Sequence, residues 1–145
     1  MKTHKGNMWS IYKEADYFVF TGNSFIKNNH ALVMGRGMAK QIRDRIPGID
    51  LRIGKRILKK GPSLCRYGFI HIGKIGVFQV KHTYMEIASL ALIEYSTKCL
   101  SAFAARHHNA QIHMNYPGIG YGKLTKAYVS PIIKRLPNNV HIWTF

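Results

Sequence analysis

Two short glycine clusters, each set between a strand-like run and a helix-like run, constrain this chain more than any other feature. The first is Met34-Gly35-Arg36-Gly37-Met38-Ala39. It opens a helical pattern from Gly37 through Arg45, which Pro47 and Gly48 stop. The second is Pro117-Gly118-Ile119-Gly120-Tyr121-Gly122, after the strand-like AQIHMNY and before LTKAYVSPIIKRL. A helix start presents unpaired N–H groups and a partial positive charge, and glycine lets an anion approach the main chain without a Cβ in the way. Either cluster alone is accounted for by an ordinary glycine turn. Both together, in a sheet-forming chain, point to phosphate, and two such loops can close on the two phosphates of one diphosphate.

Two common phosphate motifs are excluded. A dinucleotide fingerprint needs GxGxxG directly after its first strand, but Gly35 lies about fifteen residues past Phe20 and Lys40 holds the third glycine position. A P-loop needs GxxxxGK followed by Ser or Thr, but Leu124 follows Gly122-Lys123 and Pro117 stands at the first glycine.

The remaining pattern fills in an alternating chain. Tyr17 to Phe20 reads as a buried strand ending in Thr-Gly-Asn. LRIGKRILKK, closed by Gly61 and Pro62, reads as a short helix. RYGFIHIGKIGVFQVKH reads as two strands with a turn at Gly73-Lys74. Residues 85–106 give the clearest helix, LTKAYVSPIIKRL a last one interrupted by Pro131, and NVHIWTF a closing strand. Alternation of this kind predicts an α/β layered sheet, and 145 residues suit a single domain over 1–145.

Charge sets the partner class. Twenty-two Lys and Arg against six Asp and Glu give a net charge of +16, which attracts and steers polyanions. RIGKRILKK, residues 52–60, is the densest basic stretch and offers contact with a nucleic-acid backbone as well as a plain solvated face. There is no apolar run of membrane-spanning length and no secretory block at MKTHKGNMW, so no membrane partner is expected and a cytoplasmic setting is. Cys65 and Cys99 fit no zinc or CxxC spacing and are expected as buried free thiols. His107-His108 lacks a matching pair at ligand spacing, so no metal is expected.

In the order and spacing of four short motifs the chain resembles the macrodomains, which bind ADP-ribose. KGNMW is similar to their opening strand end, MGRGMAKQI to their first phosphate loop, PGIGYGKL to their second, and VHIWTF to their closing strand. The resemblance covers nearly the whole chain. It is strongest to the single-domain macrodomains that remove terminal ADP-ribose from protein or DNA. It implies a three-layer α/β/α macrodomain with a mixed central sheet, and no cofactor. By motif position it places Asn7, with Met8 after it, at the adenine, where an aspartate is usual; an asparagine oxygen accepts the same hydrogen bond. It places Asn23 at the distal ribose and Gly35, Arg36, Gly37, Met38 and Ala39 around one phosphate. Pro117 leads the second loop, whose Ile119, Gly120, Tyr121 and Gly122 cover the other phosphate and the distal ribose. The partner so implied is ADP-ribose, free or carried on protein or nucleic acid.

Lys81, between GVFQV and His82, matches the lysine that attacks the distal ribose in that subgroup. Such an attack needs a neutral amine, which burial and neighbouring cations favour. The subgroup's aspartate after the second loop is missing, since GYGKLTKAYV carries no carboxylate. Losing a general acid or base lowers a rate by ~10² to 10⁴, and His30 and His82 are the substitutes near the matched loops. A phosphatase acting on ADP-ribose phosphate and a non-catalytic nucleic-acid module are the alternative functions. Tyr84, Tyr95, Phe103 and Trp143 are expected as core or edge packing, whereas Tyr121 is expected beside the ligand.

Overall fold

The computed structural model describes residues 1–145. Six strands form one sheet: β1 (Lys2–Lys5), β2 (Tyr17–Gly22), β3 (Phe69–Ile72), β4 (Ile75–Gln79), β5 (Ile112–Asn115) and β6 (Val140–Thr144). Their order is β1-β6-β5-β2-β4-β3. All neighbours are parallel except β3 and β4, which form an antiparallel hairpin through Gly73 at φ 55°. The turn expected at Gly73-Lys74 is therefore present, because only a glycine adopts that left-handed conformation without strain.

Four helices cover the sheet: α1 (Gly37–Arg45), α2 (Ile49–Lys60), α3 (Leu90–Arg106) and α4 (Lys126–Ile133). Strand alternation distributes the core between two layers. Phe18 and Phe20 of β2 and Val77 of β4 pack with Met38, Ile42, Ile53 and Ile57 of α1 and α2. Val19 and Phe78, one step along each strand, pack with Ile93, Leu100, Val129 and Ile133 of α3 and α4. This is the expected three-layer α/β/α arrangement around a mixed sheet. No helix is long and apolar enough to cross a membrane.

Two helix boundaries and the burial of the cysteines differ from the sequence pattern. The α3 helix begins at Leu90 rather than at residue 85, because Ser89 caps it with a bond from Leu92 N–H at 3.2 Å. Residues 85–88 instead belong to a loop whose Ala88 N–H donates to the Gly122 carbonyl at 3.0 Å. The α2 helix begins earlier than expected, at Ile49, directly after Gly48 at φ 84°. Cys65 and Cys99 are free but only half-buried.

Gly54 explains how α2 seats so close to the chain before it. A Cβ there would lie 1.9 Å from the His30 carbonyl oxygen and 2.8 Å from Leu32 N, both backbone atoms. The same segment is tied to α2 by Leu32 N–H to the Asp50 carbonyl at 3.0 Å. In an open helix interior Gly→Ala stabilises by roughly 1 kcal/mol. Here the sign reverses, and Gly54→Ala is expected to destabilise by about 2–4 kcal/mol; a higher melting temperature in G54A would refute the close approach.

Candidate functional site

Parallel strands send their carboxyl ends to one side of a sheet, and a crevice forms there where crossovers leave on opposite faces. From β2 the chain reaches β4 through α1 and α2 on one face, and from β4 it reaches β5 through α3 on the other. A cavity of about 940 Å³ opens at that edge, within the size range of small-ligand sites.

Both glycine loops line this cavity and touch across it. The Arg36 guanidinium lies over the Tyr121 ring at 5.5 Å, and a Cβ on Gly37 would sit 3.5 Å from the same ring. In the first loop, Gly35 and Arg36 N–H make no backbone hydrogen bond, and Gly37, Met38 and Ala39 occupy the first turn of α1, where N–H groups have no intrahelical acceptor. No side chain caps that helix. In the second loop, Gly118, Ile119, Gly120 and Tyr121 N–H likewise donate to no backbone carbonyl. Gly118 and Gly120 take φ 77° and 66°, so the loop turns its main chain inward at positions closed to most side chains. The first loop and α1's start supply the positive end of a helix; the second supplies amides from a separate crossover. The result is a two-sided cradle of donors.

The charge of the cavity matches. Arg36, Lys40, Lys81 and Lys126 line it, and no Asp or Glu does. Lys81 Nζ donates to the Glu86 carbonyl at 3.3 Å. Burial lowers the Lys81 pKa, and the Arg36 and Lys123 charges lower it further against the opposing pull of Glu86. Glu86 is the carboxylate nearest that lysine. Its Oε1 accepts the N–H groups of His82 and Thr83, and these bonds, together with the His82 and Lys81 charges, hold its pKa down despite some burial. It braces the loop as an anion and is not among the cavity-lining residues. His82 bonds the Leu64 carbonyl at 3.0 Å, and His30 carries its carbonyl against α2, so neither histidine lines the cavity.

Of the residues expected at the site, Asn23, both sets of loop glycines, Arg36, Met38, Ala39, Ile119, Tyr121 and Lys81 line the cavity. Asn23 does so with its side chain engaged: Nδ2 donates to the Val33 carbonyl at 3.1 Å and Oδ1 accepts Phe25 N–H at 2.8 Å. Asn7, Met8 and Pro117 stand outside the lining. Asn7 Oδ1 is occupied by Trp9 N–H at 3.0 Å as the cap of a short 3-10 turn, Met8 is fully buried in the core, and Pro117 is buried beneath its loop.

Several lining residues were invisible in the sequence. Tyr84, expected as packing, is 46% exposed and lines the cavity from the loop after β4. Asn115, the last residue of β5, clamps β2 by accepting Thr21 N–H at 3.1 Å and donating to Thr21 Oγ1 at 2.9 Å. Its place directly before the second loop was the one available signal.

Trp143, also expected as packing, is buried yet forms part of the wall. Its Nε1–H can only donate, and it donates to His113 Nδ1 at 2.9 Å, so the His113 proton sits on Nε2. His4 stacks on the same indole at 4.7 Å. His141 gives Nε2–H to Gln111 Oε1 at 2.7 Å, and its Nδ1 therefore accepts from His4 Nε2–H at 2.8 Å. These bonds fix the His113 and His141 rings as neutral, each with an unprotonated Nδ1 that accepts.

No protein-family model matches this chain, and no curated protein matches it. Solved structures do. DarTG of Thermosipho africanus, solved in complex with ADP-ribose, superposes with a TM-score of 0.78 at 16% identity over 99% of this chain. This chain spans 41% of that protein's length. The macrodomain of Thermus aquaticus DarG gives 0.75 at 19% identity, covering 99% of this chain and 96% of that one. The macrodomain of Mycobacterium tuberculosis DarG gives 0.73 at 20%, covering 99% and 97%. The fold is that of a macrodomain. In this macrodomain-like fold the cavity opens where two amide-rich loops of separate crossovers meet.

The neutral His113 and His141 rings make the stability of the fold depend on pH. Burial first, then the His141 and His4 charges, lower the His113 pKa to about 4 from an ordinary 6.5, with Asp16 pulling weakly the other way. A group whose native pKa is depressed contributes fully above its unfolded pKa and is lost as pH falls through the native one. Stability should fall between pH 6.5 and pH 4 by about 2 kcal/mol after solvent screening. His113→Asn keeps an acceptor for Trp143 but does not titrate, so urea denaturation of H113N should show a flatter acid limb; equal limbs would contradict the neutral network.

Proposed function

We propose that this macrodomain binds ADP-ribose across its two glycine loops and, with Lys81, releases it from an ADP-ribosylated protein or nucleic acid. The observation that carries the reading is the convergence of unpaired main-chain N–H groups from both loops on one cation-lined cavity. The Thermosipho relative, solved with ADP-ribose, supports the choice of ligand. The diphosphate would lie between Gly35–Ala39 and Gly118–Gly122, with Tyr121 and Arg36 closing over it.

In the release step, neutral Lys81 Nζ attacks the anomeric carbon of the distal ribose. A C–N bond forms as the bond to the macromolecule breaks, and the departing group takes up the proton that the amine gives. Water then cleaves the ribosyl–lysine bond, freeing ADP-ribose and restoring the amine. The lowered Lys81 pKa raises the neutral fraction that this needs. Activity should therefore rise with pH through a value below that of free lysine.

A second reading is favoured by one observation: no carboxylate lines the cavity. A domain that binds ADP-ribose without cleaving its linkage has the same loops and needs no proton shuttle.

Two substitutions test the binding and the chemistry separately. Gly35→Val adds bulk where a Cβ meets nothing within 4 Å and no left-handed φ is required, so the fold should survive. Calorimetry should show ADP-ribose affinity falling at least tenfold, about 1.4 kcal/mol; unchanged affinity would remove the loop from the site. Lys81→Arg keeps a cation that stays protonated. It should bind ADP-ribose within a few fold of the parent and abolish release from a modified substrate, whereas full release would dismiss Lys81 as the nucleophile.

A further inference from the structure

The α2 helix carries a charge pattern that the cavity does not use. We infer that its outer face is a separate, sequence-independent docking surface for a nucleic-acid phosphate backbone. Arg52, Lys55, Arg56 and Lys59 are all exposed. At 3.6 residues per turn they fall within an arc of about 100° and span about 10 Å along the axis. Lys60 extends the stripe at the helix end. None of α2's residues lines the cavity.

These cations have no partners of opposite sign. The ion pairs of the molecule are Lys40–Asp44, Arg43–Asp44 and Arg135–Glu94, all off this helix. Asp50, in the first turn, bonds Leu51 N–H at 2.9 Å. Arg52–Arg56 and Lys55–Lys59 are like-charged i,i+4 pairs, and Arg52–Lys55 and Arg56–Lys59 are like-charged i,i+3 pairs, spacings at which such pairs destabilise a helix. A polyanion laid along the stripe removes that repulsion and releases its own counterions. The molecule's +16 charge steers such a polymer toward it.

The chemistry favours nucleic acid over a bilayer. A helix that lies on a membrane inserts an apolar face. The apolar residues Ile49, Ile53 and Ile57 of α2 are instead sealed in the core at 1%, 1% and 0% exposure. Apart from the single partly exposed Leu58, what α2 offers outward is a row of ammonium and guanidinium donors, which suit phosphate oxygens.

The test is a salt titration. Binding of a labelled mixed-sequence DNA duplex is followed by fluorescence anisotropy, with each lost phosphate contact lowering the log–log salt slope by about 0.9. The variant Arg52→Gln, Lys55→Gln, Arg56→Gln, Lys59→Gln should bind at least tenfold more weakly and lose about 3 to 4 from that slope. Its circular dichroism should match the parent. A charge-matched variant, Lys13→Gln, Lys98→Gln, Arg106→Gln, Lys134→Gln, alters exposed cations elsewhere and should retain most of the slope. Equal losses in the two variants, parental binding in the α2 variant, or retention on phosphatidylserine vesicles with no duplex binding would each overturn the proposal. The duplex assay involves no ADP-ribose, so its outcome is independent of whether the cavity binds that ligand.

Discussion

The structure depends on a main chain that leaves hydrogen-bond donors unspent at one place. Backbone N–H groups are nearly always paired in a folded protein. Here those of Gly35 to Ala39 and of Gly118 to Tyr121 find no backbone acceptor, and they sit on two walls of one cavity. The topology makes this arrangement possible. One loop ends the excursion after β2 and starts α1, and the other leaves β5, the strand beside β2. Neither loop could present such a cradle alone, because an anion on one amide cluster would still face open water on its other side.

The glycines serve two different purposes. Gly35 and Gly120 meet nothing within 4 Å where a Cβ would be, so they keep space free at the cavity. Gly118 and Gly122 are packing glycines: a Cβ on the first would lie 2.7 Å from Ile93 Cδ1, and on the second 3.1 Å from Ala88 Cβ. The second loop is thereby seated on the start of α3 and on the 81–88 loop, whose Ala88 N–H it also accepts. Lys81 leaves the strand end in that same loop. Amide cradle and candidate nucleophile are thus held by one set of contacts, with Glu86 as the internal brace that fixes the turn.

The layered sheet and both loops were legible because they depend on local signals. Period-two runs, Pro and Gly stops and glycines at helix starts carry their meaning within a few residues. Lys81 was legible as a motif position, and its depressed pKa follows first from its burial and then from Arg36 and Lys123, which lie far apart in the chain. The rest of the lining depends on register and on loop paths that no short window holds. Tyr84 enters because residues 85–88 are not helical; Trp143 and Asn115 enter because β5 and β6 pair Asn115 with Trp143. Asn7 and Met8 show the converse. They sit in a recognisable motif, but a 3-10 turn spends the asparagine oxygen on Trp9 N–H and turns Met8 into the core. The histidine set on β1, β5 and β6 was equally illegible, since His4, His113 and His141 meet only through strand pairing.

The most direct measurement is a titration of nitrogen-15-labelled protein with ADP-ribose, read by nuclear magnetic resonance at the backbone amides. If the cradle binds the diphosphate, amides of Gly35–Ala39 and of Gly118–Tyr121 will shift together, along one common binding curve, while amides of α2 stay still. Shifts confined to a single loop, or two loops following different curves, would contradict the shared cradle.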